Sequence, residues 1–199
     1  MLSSFLEDPF QATLFFVIVI ISLSFHEFGH AIVASWFGDD TAKQQGRVTL
    51  NPLAHIDLIG TIILPLLIGF GWAKPVPVNF RWLSPYKLGV ICVSIAGIVM
   101  NMLLATLFAG IYRFAGIENE LIRDVLGLAV LINVGLAVFN LTPIPPLDGY
   151  RIFFFWWLSE EMQMKIERLA FVFIFLIFFI VPMSLIWTIT RSVTGFLLG

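Results

Sequence analysis

Between Phe10 and Phe37 the chain is apolar almost without interruption, and its only ionisable side chains there are His26, Glu27 and His30. A run of this length exceeds the roughly 20 residues that a helix needs to cross a bilayer. Two imidazoles and a carboxylate at hydrocarbon depth are costly unless they are paired or bound to metal, so intramembrane groups of this kind are functional candidates. On a helix, residues four apart share a face. His26 and His30 can therefore offer two ring nitrogens to one metal, with Glu27 beside them. Zinc lowers the pKa of its bound water, and a neighbouring carboxylate can take the proton as the hydroxide attacks a carbonyl. The chemistry this implies is peptide-bond hydrolysis, with Glu27 as general base. A catalytic zinc takes three protein ligands and leaves one position for water, so a further ligand must come from elsewhere in the chain.

Composition supports the membrane reading. Of the 199 residues 59% are hydrophobic and 12% charged, with 21 phenylalanines, and the mean hydropathy is +0.98. So few charges could not keep such a chain soluble, and it reads as a polytopic membrane protein forming one integral-membrane domain over 1–199. The net charge of -2 gives no sign of nucleic-acid binding. Cys92 is the single cysteine, which excludes an internal disulfide and, in an apolar helix, reads as a small packing residue. The remaining metal ligand must then be a carboxylate or another histidine. The first apolar run lacks a basic leader and a small-residue cleavage site, so it is expected to stay in the mature protein rather than act as a signal peptide.

The first helix is expected from about Phe10 to Phe37, ending at Gly38-Asp39-Asp40. Gly46 to Leu50 alternates like a short strand before Asn51-Pro52, and Lys74 to Asn79, with Pro75 and Pro77, reads as a second extended piece, so a small β element is expected. Leu58 to Ala73 is apolar but short and broken by Gly60, Pro65, Gly69 and Gly71; it reads as a re-entrant segment. Helices follow from about Leu88 to Tyr112 and from about Leu121 to Leu141, the latter closed by a proline-rich turn reaching Asp148-Gly149. The aromatic stretch Tyr150 to Leu158 is too short to cross and suits a headgroup surface. A last span is expected from Leu169 to about Ile189. The fold class is thus all-α polytopic, with about four full transmembrane helices, a re-entrant segment and a β element on the cytoplasmic side.

The basic residues give an orientation. With 58–73 re-entrant, Lys43, Arg47, Lys74, Arg81, Lys87, Arg151, Lys165 and Arg168 share one side, against Arg113, Arg123 and Arg191 on the other. The richer side is expected to be cytoplasmic, which places both termini outside. Were 58–73 to span instead, the split would be nearly even. In the favoured topology the first helix and the helix ending at Leu141 both descend toward the cytoplasm, bringing Asp148 to the side where the histidines need a partner. Asp148, on a rigid turn, is the best remaining oxygen donor; Asp57 and Asp124 are its competitors.

Three stretches together resemble the site-2 proteases, intramembrane zinc metalloproteases. His26-Glu27-Phe28-Gly29-His30 matches that family's first motif, and Asn140 to Gly149, with its proline-rich turn and Leu147-Asp148-Gly149, matches its second. Between them, Ala96-Gly97-Ile98-Val99-Met100-Asn101 is similar to an Ala-Gly-Pro-x-x-Asn helix, with Ile98 in place of the proline. Asn51 to Asp57 and Gly71 to Asn79 resemble the compact subgroup without PDZ or CBS domains. The resemblance implies that His26, His30 and Asp148 hold one Zn2+ and that Glu27 activates the zinc-bound water. Asn140 is a candidate donor to the scissile carbonyl or its oxyanion, and His55 a candidate to line the substrate path or protonate the leaving amine. For each of these two a structural role is the alternative. The implied activity is cleavage of a transmembrane segment of another membrane protein, at the cell membrane and with the active site toward the cytoplasmic half. The alternative is a membrane zinc carrier or scaffold without hydrolysis. A membrane-anchored protease working in the aqueous phase would need a long polar domain, and no stretch supplies one.

Overall fold

The computed structural model describes residues 8–57, 60–61, 73–169, 172–173 and 181–199. Three long apolar helices organise these residues. Helix α1 spans Pro9–Trp36; Asp8 caps it by accepting the N–H of Phe10, and Pro9 opens it where a missing N–H costs nothing. It stops where Phe37 and Gly38 bond back to its last turn, with Gly38 at φ +100, a conformation that favours glycine. Between the short helix α2 (Thr41–Gln44) and α3 (Tyr86–Phe114), which starts behind Pro85, the described residues include 3₁₀ turns at Pro52–Ala54 and Phe80–Trp82. Asn119 caps α4 (Glu120–Asn140) through the N–H of Ile122. All three long helices are long and apolar enough to cross a membrane, and their bounds lie within two residues of those expected from sequence.

Packing among them relies on small side chains. A Cβ at Gly29 of α1 would sit 2.8 Å from the Ala96 carbonyl of α3, so the two backbones are nearly in contact. Close approach through small residues is how helices associate where lipid removes the ordinary hydrophobic drive. Between α3 and α4 the core is Ala105, Ala109, Val130 and Val134, and Val193, Leu197 and Leu198 of the C-terminal helix pack against it. A second core joins Ala34, Leu83, Val90 and Val93 to Tyr150 and Phe155. These last two belong to the segment after α4: helix α5 (Asp148–Phe153), a single 3₁₀ turn at Phe155–Trp157, and helix α6 (Glu160–Arg168). Phe153, Phe154 and Trp157 are exposed there, as suits aromatic residues at a membrane surface.

Two expectations need correction. Among the described residues no β-strand forms: Gly46 to Leu50 and Val76 to Asn79 are irregular or extended without a ladder. Their connections are made by side chains instead. Arg47 donates to the carbonyls of Lys74 and Pro75 at 2.7 and 3.3 Å, and Asp39 accepts the N–H of Asn79 at 2.6 Å. Pro75 and Pro77 have no N–H to give to a ladder. Helix α7 (Met183–Leu198) also continues well past Ile189, the expected end of the last span, and Leu197 near its end accepts a hydrogen bond from Arg113 of α3. The expected re-entrant segment falls almost wholly outside the described residues, as do parts of the expected span from Leu169.

Candidate metal centre

Helical spacing sets His26 and His30 on the face of α1 that meets α3. Their Nε2 atoms are 3.0 Å apart. Asp148 Oδ2 lies 3.2 Å from the first and 3.4 Å from the second, so three donor atoms converge. Each ring is oriented from behind. His30 Nδ1 donates to the Val93 carbonyl at 2.7 Å, and His26 Nδ1 donates to Asn101 Oδ1 at 2.7 Å. A carbonyl oxygen only accepts, so each Nδ1 carries the proton and each Nε2 presents a lone pair.

Two lone pairs and a carboxylate oxygen therefore face one another with no hydrogen between them. Asp148 is 5% exposed, and its Oδ2 has no hydrogen-bond partner. Such an arrangement asks for a cation. Zinc bound to nitrogen and oxygen at about 2.0–2.1 Å in a tetrahedron has ligand-to-ligand edges of about 3.3–3.4 Å, close to the three separations found. The donor set, two neutral imidazoles and one carboxylate, is that of a catalytic zinc site.

Two glycines make the convergence possible. A Cβ at Gly97 of α3 would lie 2.5 Å from His26 Cε1 and 2.6 Å from the Nε2 of both histidines, so only a residue without a side chain lets α3 back the site. A Cβ at Gly149 would overlap the Leu141 carbonyl, so the Asp-Gly pair is what allows Asp148 to open α5 directly under the end of α4. Arg151, one turn on, donates to the Pro146 carbonyl at 3.2 Å and fixes the turn. Asp57 is engaged as the cap of the turn that follows it, accepting from Gly60 N–H, and among the described residues neither it nor Asp124 joins the donor group.

Glu27 leaves α1 next to His26 but faces the extended segment. Its Oε2 accepts the Val76 N–H at 2.7 Å. That segment is held in place by Arg47 and Asp39 and by a bond from Lys74 N–H to the His55 carbonyl. Val76 itself is buried against Ala31 and Ala42. Asn140 donates to the Leu136 carbonyl at 3.0 Å within its own helix, which uses one of its two amide hydrogens. His55 is buried; its Nε2 donates to the Thr49 carbonyl at 2.9 Å, which leaves Nδ1 as an acceptor without a partner. It lines a narrow cleft with Ile20, Leu23 and Ser24, the face of α1 one turn before Glu27. Sequence reasoning singled out the three donors and Glu27. It passed over Asn101 and Gly97 as site residues, although both lie in the stretch from Ala96 to Asn101.

Apolar spanning helices around a buried histidine and aspartate donor set define a membrane-embedded metalloprotein. The model of "Peptidase family M50" matches residues 110–181, which include Asp148. The "Putative zinc metalloprotease YwhC" of Bacillus subtilis is 45% identical over 159 residues, covering 74% of this chain and 71% of the relative. The "Putative zinc metalloprotease Rip2" of Mycolicibacterium smegmatis is 35% identical over 145 residues, 68% of this chain and 55% of its own length. The protein of the same name from Mycobacterium tuberculosis is 36% identical over the same extent. The chain thus spans about half the length of the Rip2 relatives. No solved structure matches the chain significantly. The chain belongs to peptidase family M50, the site-2 protease family, and is a zinc metalloprotease of the membrane.

Proposed function

We propose that the chain hydrolyses a peptide bond in or near a transmembrane segment of another membrane protein. The observation that carries this reading is the placement of Glu27, next to His26 in sequence on a spanning helix, with one oxygen tethered by the Val76 N–H and the other left to act. When bound, zinc supplies a Lewis acid that brings the pKa of water toward neutrality. Glu27 then takes a proton from the water that attacks the scissile carbonyl and delivers it to the leaving nitrogen as the C–N bond breaks. The tether on Oε2 orients the carboxylate for both transfers. Asn140, with one amide hydrogen still to offer, is the donor to the developing oxyanion. His55 lines the approach; with Nε2 committed to the Thr49 carbonyl, it suits orientation of a substrate better than protonation of the leaving amine. Cleavage is on the cytoplasmic half of the cell membrane, with both termini outside, a reading that rests on the distribution of Lys and Arg.

A membrane zinc carrier would need the same donors but not Glu27. In Glu27→Gln the side chain keeps its shape and loses its ability to accept a proton. Zinc content should stay at wild-type level while cleavage of a transmembrane peptide slows by at least about a hundredfold, the lower end of what general acid–base catalysis contributes. Wild-type cleavage rates in this variant would favour the carrier.

A further inference from the structure

His30 and His26 are oriented by chemically different groups. The partner of His30 is a main-chain carbonyl, which cannot turn over. The partner of His26 is the side-chain amide of Asn101, whose oxygen and nitrogen ends are nearly equal in size, so a rotation of half a turn would exchange acceptor for donor. In the exchanged state Asn101 would present N–H groups to His26. Nδ1 would have to accept, the proton would move to Nε2, and the lone pair aimed at the metal would be lost.

The structure contains what prevents this. Asn101 and Asn133 are both fully buried, on α3 and α4. Asn101 Nδ2 donates to the Ser22 carbonyl at 3.2 Å and to Asn133 Oδ1 at 3.0 Å. Asn133 Nδ2 donates in turn to the Ala129 carbonyl at 2.9 Å, which leaves its oxygen facing Asn101. Every bond in this series donates the same way, from the His26 ring toward the Ala129 carbonyl. If Asn101 turned over, its oxygen would meet two other acceptor oxygens in a buried site, an arrangement that leaves all of them unsatisfied. Amides at this depth in a membrane are costly to keep unless they serve a purpose.

We propose that Asn101 and Asn133 are positioning residues, a one-directional amide relay across three helices that locks His26 in its zinc-binding tautomer and thereby sets the metal affinity of the site. Asn133 acts only through Asn101, 32 positions earlier in the chain. The inference rests on the zinc site and not on proteolysis, so a protein that bound zinc normally and cut nothing would overturn the proposed function and leave this test intact.

The test is zinc affinity of the full chain in detergent, measured by chelator competition, with the cobalt absorption spectrum as a report on ligand geometry. Asn101→Leu leaves the His26 Nδ1–H without an acceptor and should weaken zinc about ten- to a hundredfold, the usual cost of losing such an outer partner. Asn133→Leu should weaken zinc in the wild-type background, where it frees Asn101 to rotate, and cause no further loss in the Asn101→Leu background, where no amide is left to turn over. Equal losses from Asn133→Leu in the two backgrounds, or no loss in either, would overturn the relay, because a packing role would act regardless of what residue 101 is. Should Asn101→Leu fail to fold, Asn101→Ala supplies the second background and the same comparison decides.

Discussion

The two sides of α1 at the level of the motif are built by opposite means. Toward α3, the histidines meet a helix surface cleared by Gly97 and Gly29 and are aimed by a carbonyl and a side-chain amide of that same helix. Toward the segment from Ala73 to Asn79, Glu27 meets a chain with no regular structure, whose main-chain groups are gripped one by one by Arg47 and Asp39. The first side fixes ligands by packing, the second fixes the carboxylate by hydrogen bonds. Metal affinity and the proposed proton transfer therefore rest on different parts of the molecule and should fail separately.

The largest effect expected is on the packed side. His26→Ala with His30→Ala removes two of three donors, and zinc measured by elemental analysis should fall from about one per chain to almost none; undiminished zinc would show that the donor set is misassigned. Gly97→Ala tests the same side without touching a ligand. Its methyl group must push both rings, and overpacking of about 1–3 kcal/mol corresponds to a loss of about five- to 150-fold in zinc affinity. On the other side, Arg47→Gln loosens the grip on Lys74 and Pro75. Buried bonds from a charged donor contribute about 1.5–3 kcal/mol each way they are lost, so denaturant unfolding should shift and peptide cleavage slow, while zinc affinity stays put. A fall in zinc affinity here would erase the distinction between the two sides. The smallest effect is expected far from both: Arg81 and Glu160 pair at 3.0 Å but are more than half exposed, and Glu160→Gln should leave the melting temperature unchanged within error.

How much of this was readable in the sequence follows the same division. The three long helices and the donors on them came from local signals, apolar length and four-residue spacing, which do not depend on distant partners. Asp148 was reachable because topology alone brings the end of α4 to the histidines. The short strands expected at Gly46 to Leu50 and Val76 to Asn79 did not form, since alternation of side chains signals a strand only where another strand accepts it, and here Arg47 takes the carbonyls first. Asn133 carried a usable signal, a lone amide in the middle of an apolar helix. Its partner could not be inferred, because nothing local says which neighbouring helix it faces.

One consequence of the extended segment concerns the integrity of the molecule itself. If Glu27 acts as proposed, an enzyme of this kind keeps a stretch of its own backbone against its acid–base carboxylate. Here the two bonds flanking Val76 along the chain end on or begin from proline, at Pro75 and Pro77, whose nitrogens carry no hydrogen. The single amide hydrogen between them, that of Val76, is already committed to Glu27. Under the role proposed for Glu27, the stretch of chain that touches the carboxylate has no further amide hydrogen to offer between Pro75 and Pro77.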